Sequence, residues 1–139
     1  MNAPAYTVSG GSTPAPSLVN YTHLMYGLHA LSALIGAFSA AFIATAFVGT
    51  LPSIVAVVMN YVKRNEARGT YLDSHFAWQL RTFWYAVVWI VLISLVSLPL
   101  LLLFGLGLVT GWVGGVVLGL WIIYRVARGW LRLRDAQPI

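Results

Sequence analysis

The segment that decides how this chain folds is "KRNEARGTYLDSHFAWQLRTFWY", which runs from Lys63 to Tyr85. It holds six of the eleven charged residues of the chain, and the sequence on both sides of it is almost purely apolar. Each Arg or Lys at the centre of a membrane-spanning helix opposes insertion by about 2.5–3.5 kcal/mol. We therefore expect this segment to lie in water between two pairs of membrane-spanning helices.

The composition of the chain supports a membrane environment. Of its 139 residues, 60% are hydrophobic and 8% are charged, whereas a soluble domain carries about 25% charged residues. So few charges cannot cover a water-exposed surface, and the length allows one domain. The absence of cysteine excludes disulfides and thiolate metal sites.

The apolar runs predict the number of helices. Residues 1–17 are rich in Pro, Ala, Ser, Thr and Gly and predict a flexible N-terminal tail. The run 18–62 has no fixed charge and is long enough for two spans of about 20 residues each. Two more apolar runs follow the charged segment. The sequence predicts an all-α membrane protein, a single domain over 18–139 with four transmembrane helices at about 19–38, 41–63, 82–104 and 107–125.

The turn between the first two helices has two candidate positions. The stretch Gly36–Ser39 divides the apolar run evenly, whereas Gly49–Pro52 has stronger helix-breaking residues but leaves a short second helix. We favour the first position, with Pro52 inside the second helix, because membrane helices tolerate proline when neighbours satisfy the freed carbonyl.

The basic residues predict the orientation. They fall in two clusters, in the loop 63–81 and in the tail 125–139, and basic clusters beside membrane spans remain on the cytoplasmic side. Both termini should then be cytoplasmic, and we expect no nucleic-acid partner. The residues expected to contact anionic lipid or a partner are Lys63, Arg64, Arg68, Arg81, Arg125, Arg128, Arg132 and Arg134.

The second half of the quoted segment has helical periodicity. Asp73 is suited to cap such a helix, because its carboxylate can accept from free N–H groups. The pattern predicts an interfacial amphipathic helix between helices two and three, lying partly in the headgroup layer, where tryptophans such as Trp78 are favoured. Its apolar positions are Phe76, Leu80, Phe83 and Trp84, and its polar stripe is His75, Gln79 and Thr82.

Small residues predict where helices pack. Gly111, Gly115 and Gly119 form GxxxGxxxG in helix four, a spacing that allows close approach of two helices in lipid. A similar stripe near helix one requires an unbroken helix through Gly36. This conflicts with the favoured turn, so whether that stripe is a packing face stays open. That stripe is Ser32, Gly36, Ala40 and Ala44.

The remaining polar residues give weak chemical signals. His23, His29 and His75 could hold a haem or a metal, but we favour histidines hydrogen-bonded at the interface, with no metal and no cofactor. Asp73, His75 and Arg81 could support acid–base chemistry, but a helix cap in a solvated loop explains them better. The sequence has no Ser–His nucleophile arrangement, HExxH motif, Walker loop or intramembrane carboxylate pair. It predicts no enzyme.

Three stretches carry a family resemblance: "YVKRNEARGT" at 61–70, "SHFAWQLRTFW" at 74–84 and "YRVARGWLRL" at 124–133. They resemble the DUF4870 family of small bacterial integral membrane proteins of unknown function, which is grouped distantly with Tic20-like proteins of the chloroplast import machinery. With the residues around them they cover about a third of the chain. The resemblance implies a four-helix inner-membrane protein and supplies no catalytic residues.

These observations favour a non-enzymatic accessory or assembly subunit. Its basic cytoplasmic face would dock anionic phospholipid, another membrane protein or a second copy of the chain. Two alternatives remain open: a small transporter or channel, and a histidine-ligated haem or quinone-binding subunit.

Overall fold

The computed structural model describes residues 11–38, 43–103 and 105–139, and all regular structure in these ranges is helical. The predicted all-α class with four helices is confirmed. In chain order, the helices are α1 (Pro16–Phe38), α2 (Ile43–Ala67), α3 (Leu72–Leu102) and α4 (Leu106–Arg134). α1 packs on α2 and α3 packs on α4, while α4 also contacts α1 and α2 contacts α3.

The connection between α2 and α3 depends on Gly69 and Thr70. Gly69 has φ +76°, a left-handed conformation that glycine adopts without a steric penalty. The Thr70 hydroxyl accepts from the Leu72 N–H at 3.2 Å and donates to the Ala67 carbonyl at 2.7 Å. The predicted Asp73 cap is wrong. Asp73 is the second residue of α3, and the residue before the helix, Tyr71, makes no side-chain capping hydrogen bond.

The first helix extends further than the favoured turn position implies. Gly36 lies within α1, which ends at Phe38, and α2 begins at Ile43. Residues 39–42, including Ala40 of the small-residue stripe, lie outside the described residues. The alternative breaker Gly49–Pro52 is helical, and Pro52 is inside α2.

The amphipathic segment is not a separate helix. Residues 72–84 are the first turns of α3, which continues without interruption to Leu102 over 31 residues. The predicted amphipathic helix therefore forms as the start of α3, and its interfacial position stays a prediction. The reason for the continuous helix is local: no glycine or proline occurs between Leu72 and Leu98, so nothing breaks the helix before the apolar run.

The two ends of the bundle differ. We call the end where α1 and α3 begin and α2 and α4 end the basic end, and the opposite end the apolar end. Aromatic, aliphatic and small side chains from all four helices form one core, and they belong to the half of the bundle nearer the basic end. The buried residues of this core are Leu18, Met25, Tyr26, Ala56, Ala67, Leu72, Phe76, Val126 and Leu133.

The apolar end leaves large aliphatic side chains exposed. Two helices among the described residues, α3 and α4, are long and apolar enough to cross a membrane. The core helix of a soluble protein can pass the same test, but it would be buried. Here the most apolar windows of α3 and α4 are only 0% and 6% buried.

Four helices of this kind were predicted, and the part of the chain that the structure describes gives two.

Candidate functional site at the basic end

The fold brings the predicted basic residues to one end of the bundle. Lys63 pairs with Glu66 at 2.6 Å, and Arg134 lies 3.4 Å from Asp135. These are the ion pairs within the described ranges, so the other six cations there have no acidic partner in the chain. Five of the six are exposed, and Arg125 is half-buried. The exposed five are Arg64, Arg68, Arg81, Arg128 and Arg132.

A buried histidine joins three parts of the chain beneath these cations. The Tyr26 hydroxyl of α1 lies 2.9 Å from Nδ1 of His75, and the Gln137 carbonyl lies 2.7 Å from Nε2. Since a carbonyl only accepts, Nε2 carries the proton and Nδ1 accepts from the tyrosine. Burial lowers the pKa of His75, which favours this neutral ring. His75 therefore connects α1, α3 and the segment after α4.

Aromatic contacts extend this junction across α4. The rings of Tyr26 and Trp130 stack with centroids 6.5 Å apart. The Trp130 indole N–H donates to Nδ1 of His23 at 3.0 Å. Gly129 lies directly beneath the Tyr26 phenol, and a Cβ at this position would overlap it. The close approach of α1 to α4 thus requires a residue without a side chain.

A second set of polar groups lies deeper between the helices. The Asn60 amide donates to the Phe76 carbonyl at 3.1 Å and to Oε1 of Gln79 at 3.4 Å. Nδ1 of His29 lies 3.0 Å from the Ser53 hydroxyl. Three buried polar atoms have no hydrogen-bond partner in this part of the structure: Nε2 of His29, Oδ1 of Asn60 and Nε2 of Gln79.

Arg125 is held in one orientation by α3. Its Nε donates to the Thr82 hydroxyl at 2.7 Å, and its guanidinium lies 3.6 Å from the centre of a Trp78 ring. The Trp78 indole N–H returns a hydrogen bond to the Arg125 carbonyl at 3.1 Å. A cation over an indole face is attracted by the ring quadrupole. This arrangement fixes a positive charge between α3 and α4.

A cavity of about 50 Å³ lies between these groups. All four helices contribute to it, and none of the lining residues is acidic. The lining offers a cation, hydroxyl groups and an amide group. The lining residues are Tyr26, His29, Ser53, Trp78, Gln79, Thr82, Phe83, Ala86, Ile122, Arg125 and Val126.

The predicted polar stripe faces the interior. His75, Gln79 and Thr82 are all buried, as is Phe76 on the neighbouring face. α1 and α4 cover this stripe, and the position of the helix in the headgroup layer stays a prediction. Trp84 does remain exposed, and it donates to the Tyr61 hydroxyl at 3.2 Å.

Two further residues of the site carried a weak sequence signal or none. Asn60 was recognisable as an amide near the end of an apolar run. Tyr26 has no local feature that points to His75, which is 49 residues away in the sequence.

The predicted glycine motif does not pack as one face. A Cβ on Gly111 would lie 3.4 Å from the Ser97 hydroxyl, but Gly115 and Gly119 have nothing within 4 Å. The closest approaches to α3 occur at Gly107, four residues before Gly111 on the same stripe, and at Gly114 on the neighbouring stripe of α4.

The three histidines do not converge. Each makes a hydrogen bond to a different partner, and His75 uses both ring nitrogens. The described ranges hold no group of three or more residues able to ligate a metal.

Comparisons with family models, with curated proteins and with solved structures gave no match to the chain.

Proposed function

We propose that this chain is an integral protein of the bacterial inner membrane that crosses the bilayer four times, with both termini cytoplasmic. The bare apolar surfaces of α3 and α4 support this, because exposing apolar surface to water costs about 25 cal/mol per Å². α1 and α2 have 23 and 25 residues, and a helix of about 20 residues crosses the hydrocarbon core. They pack beside α3 and α4 and would cross with them.

Within the membrane, the protein would act as a non-enzymatic accessory or assembly subunit. The observation that carries this proposal is the group of exposed cations without acidic partners at the basic end. Each such residue near an anionic leaflet contributes about 1 kcal/mol to membrane attraction. The basic end is therefore suited to hold anionic phospholipid or an acidic segment of another membrane protein.

Single-cysteine labelling tests the orientation. The chain has no native cysteine, so a cysteine at Ser12, Arg68 or Gln137 reports one position at a time. In intact cells, a membrane-impermeant maleimide applied from the periplasmic side should leave all three unlabelled, and lysis should expose them. Labelling of any of them in intact cells would overturn the proposed topology.

A paired variant tests docking. Replacing Arg64 and Arg68 with Gln should leave the protein in the membrane but reduce the yield of any protein that co-purifies in mild detergent. It should also increase protease nicking at Gly69–Thr70 at low salt. Nicking of the wild type should rise with salt, because the Debye length shrinks, whereas nicking of the variant should not.

The matched control is Asn65→Ala, which alters an exposed neighbour without changing the charge. It should behave as the wild type. If the wild type and the paired variant are cut equally at every salt concentration, the cations serve only as a topology signal and the docking role is wrong.

A further inference from the structure

The cavity between the four helices contains a positive charge whose counter-charge the chain does not supply. Only Nε of Arg125 donates a hydrogen bond to a residue in the described ranges, and that partner is the neutral hydroxyl of Thr82. A partly buried guanidinium needs an acceptor for its remaining N–H groups, because an unpaired charge away from water is strongly unfavourable. No lining residue of the cavity is acidic.

Two buried side chains in the lining each have one nitrogen atom without a hydrogen-bond partner among the described residues. His29 is 8% exposed and Gln79 is 2% exposed, and both have an Nε2 atom without a hydrogen-bond partner in this region. The Gln79 nitrogen can only donate. Nδ1 of His29 already contacts Ser53, so Nε2 of His29 is the ring nitrogen that remains. The cavity thus presents one unsatisfied donor, from Gln79, and one unpaired ring nitrogen, from His29, beside a cation.

The cavity has a polar part and an apolar part. Along α3 the polar lining residues Gln79 and Thr82 come before Phe83 and Ala86, and along α4 Ile122 comes before Arg125. Among the lining residues of α3 and α4, Phe83, Ala86 and Ile122 are therefore the ones nearest the apolar end. Phe83, Ala86 and Ile122 are half-exposed, so the cavity is not sealed on this side.

The volume limits what can enter. The cavity has a volume of about 50 Å³. The polar part therefore has room for a few atoms, such as the oxygens of a carboxylate or of a phosphate, but not for a ring system.

We propose that this cavity binds the oxyanion head of one anionic amphiphile, with its acyl chain lying against Phe83, Ala86 and Ile122. The head is a carboxylate or a phosphate ester that accepts from Arg125 and Gln79. The inference rests on the membrane location proposed above. It differs from docking at the basic end, because it assigns one internal site to one molecule.

Native mass spectrometry of the full chain in neutral detergent tests this site. The delipidated protein is titrated with oleate, with dioleoylphosphatidylglycerol and with dioleoylphosphatidylcholine. We expect one tightly held molecule per chain for oleate, for phosphatidylglycerol or for both, and the two arms identify the source of the oxyanion. Phosphatidylcholine carries its own cation and should be held more weakly.

Gln79→Glu is the decisive variant. It keeps the side-chain volume but places a carboxylate beside Arg125. The protein itself then supplies the missing negative charge. Binding should weaken by roughly tenfold or more, because charge-assisted hydrogen bonds are the strong ones. The melting temperature should stay equal or rise.

Asn65→Asp is the matched control, since it makes the same amide-to-carboxylate change and lowers the net charge by the same amount at an exposed position. It should retain the bound molecule. Ala86→Phe narrows the apolar part without altering any polar group and should also weaken binding, so it decides the result if Gln79→Glu does not fold.

Equal losses in Gln79→Glu and Asn65→Asp, or equal retention of all three amphiphiles by the wild type, would overturn this site and leave the proposed membrane function standing. Recovery of the wild type in the soluble fraction without detergent would overturn the membrane function, and this site with it.

Discussion

The basic end and the apolar end of the bundle hold helices together in different ways. At the basic end, side chains from four helices are fully buried and hydrogen bonds join residues far apart in the chain, such as Tyr26 and His75. At the apolar end, Leu102 is 89% exposed, and α4 approaches α3 closely through glycines such as Gly107 and Gly114.

The difference follows from the medium that each end would face in the proposed membrane location. Lipid is as apolar as leucine, so aliphatic side chains at the apolar end gain little from being covered, and close backbone approach provides the packing instead. Near the headgroups, polar groups must find partners inside the protein. Substitutions should therefore be harmful at the basic end and tolerated at the apolar end.

The largest difference in the free energy of unfolding should come from truncating one large side chain at each end. Phe76 is fully buried, whereas Leu95 is 64% exposed on the same helix. We expect Phe76→Ala to lower the free energy of unfolding by about 3–5 kcal/mol, and Leu95→Ala to change it by less than about 0.5 kcal/mol. Thermal melts in detergent measure both, and equal effects would contradict the proposed division.

The next largest difference in stability should come from adding a side chain at a glycine of each end. Gly129→Leu places a side chain against Tyr26, while Gly119→Leu on the same helix meets open space. The first should destabilise by about 1–3 kcal/mol, because α1 must move away. The second should leave the melting temperature unchanged, and a comparable loss there would mean that this face of α4 is covered in the folded protein.

Acid should weaken the basic end. His75 lies ahead of the apolar run of α3, and burial lowers its pKa below the ordinary value of 6.5. The unfolded chain then binds more protons than the folded one, so the contribution of His75 is complete above about pH 6.5 and is lost as the pH falls below that value.

Melting temperatures of the wild type should therefore drop between pH 7 and pH 5, and His75→Gln should show a smaller drop. The control is His23→Gln, at a half-exposed position that accepts one hydrogen bond from Trp130, and it should keep the wild-type dependence. An unchanged pH dependence in His75→Gln would assign the effect to another group.

The smallest effect should come from Gly115→Leu. Since nothing lies within 4 Å of the added side chain, we expect no change in the melting temperature of a single chain. The same variant tests the predicted second copy as a partner. If chemical crosslinking in membranes detects a dimer that Gly115→Leu removes, this stripe of α4 packs against another copy.

Much of the architecture follows from local sequence. Run lengths and charge positions predict four helices and the clustering of the bases, because both depend on the cost of placing a charge in lipid. The stripe of His75, Gln79 and Thr82 was also recognisable as one helix face. Its environment was not, because Tyr26 and Gln137 cover it, 49 and 62 residues away in the chain.

The errors at helix boundaries have a similar origin. Asp73 has the chemistry of a cap, but the Gly69–Thr70 turn places the start of α3 one residue before it. The glycine motif has the right spacing for close packing, yet the rotation of α4 is set by contacts at Gly129 and Gly107, so that Gly111 reaches Ser97 while Gly115 does not.

The hydrogen bond from His75 to the Gln137 carbonyl has a consequence for the order of biosynthesis. Gln137 emerges from the ribosome 62 residues after His75. During that interval α3 and α4 can be inserted one after the other, because each forms its backbone hydrogen bonds within itself. The junction of Tyr26, His75 and Gln137 closes only afterwards. A chain lacking residues 130–139 should therefore be inserted in the proposed membrane but remain sensitive to protease in the α2–α3 connection.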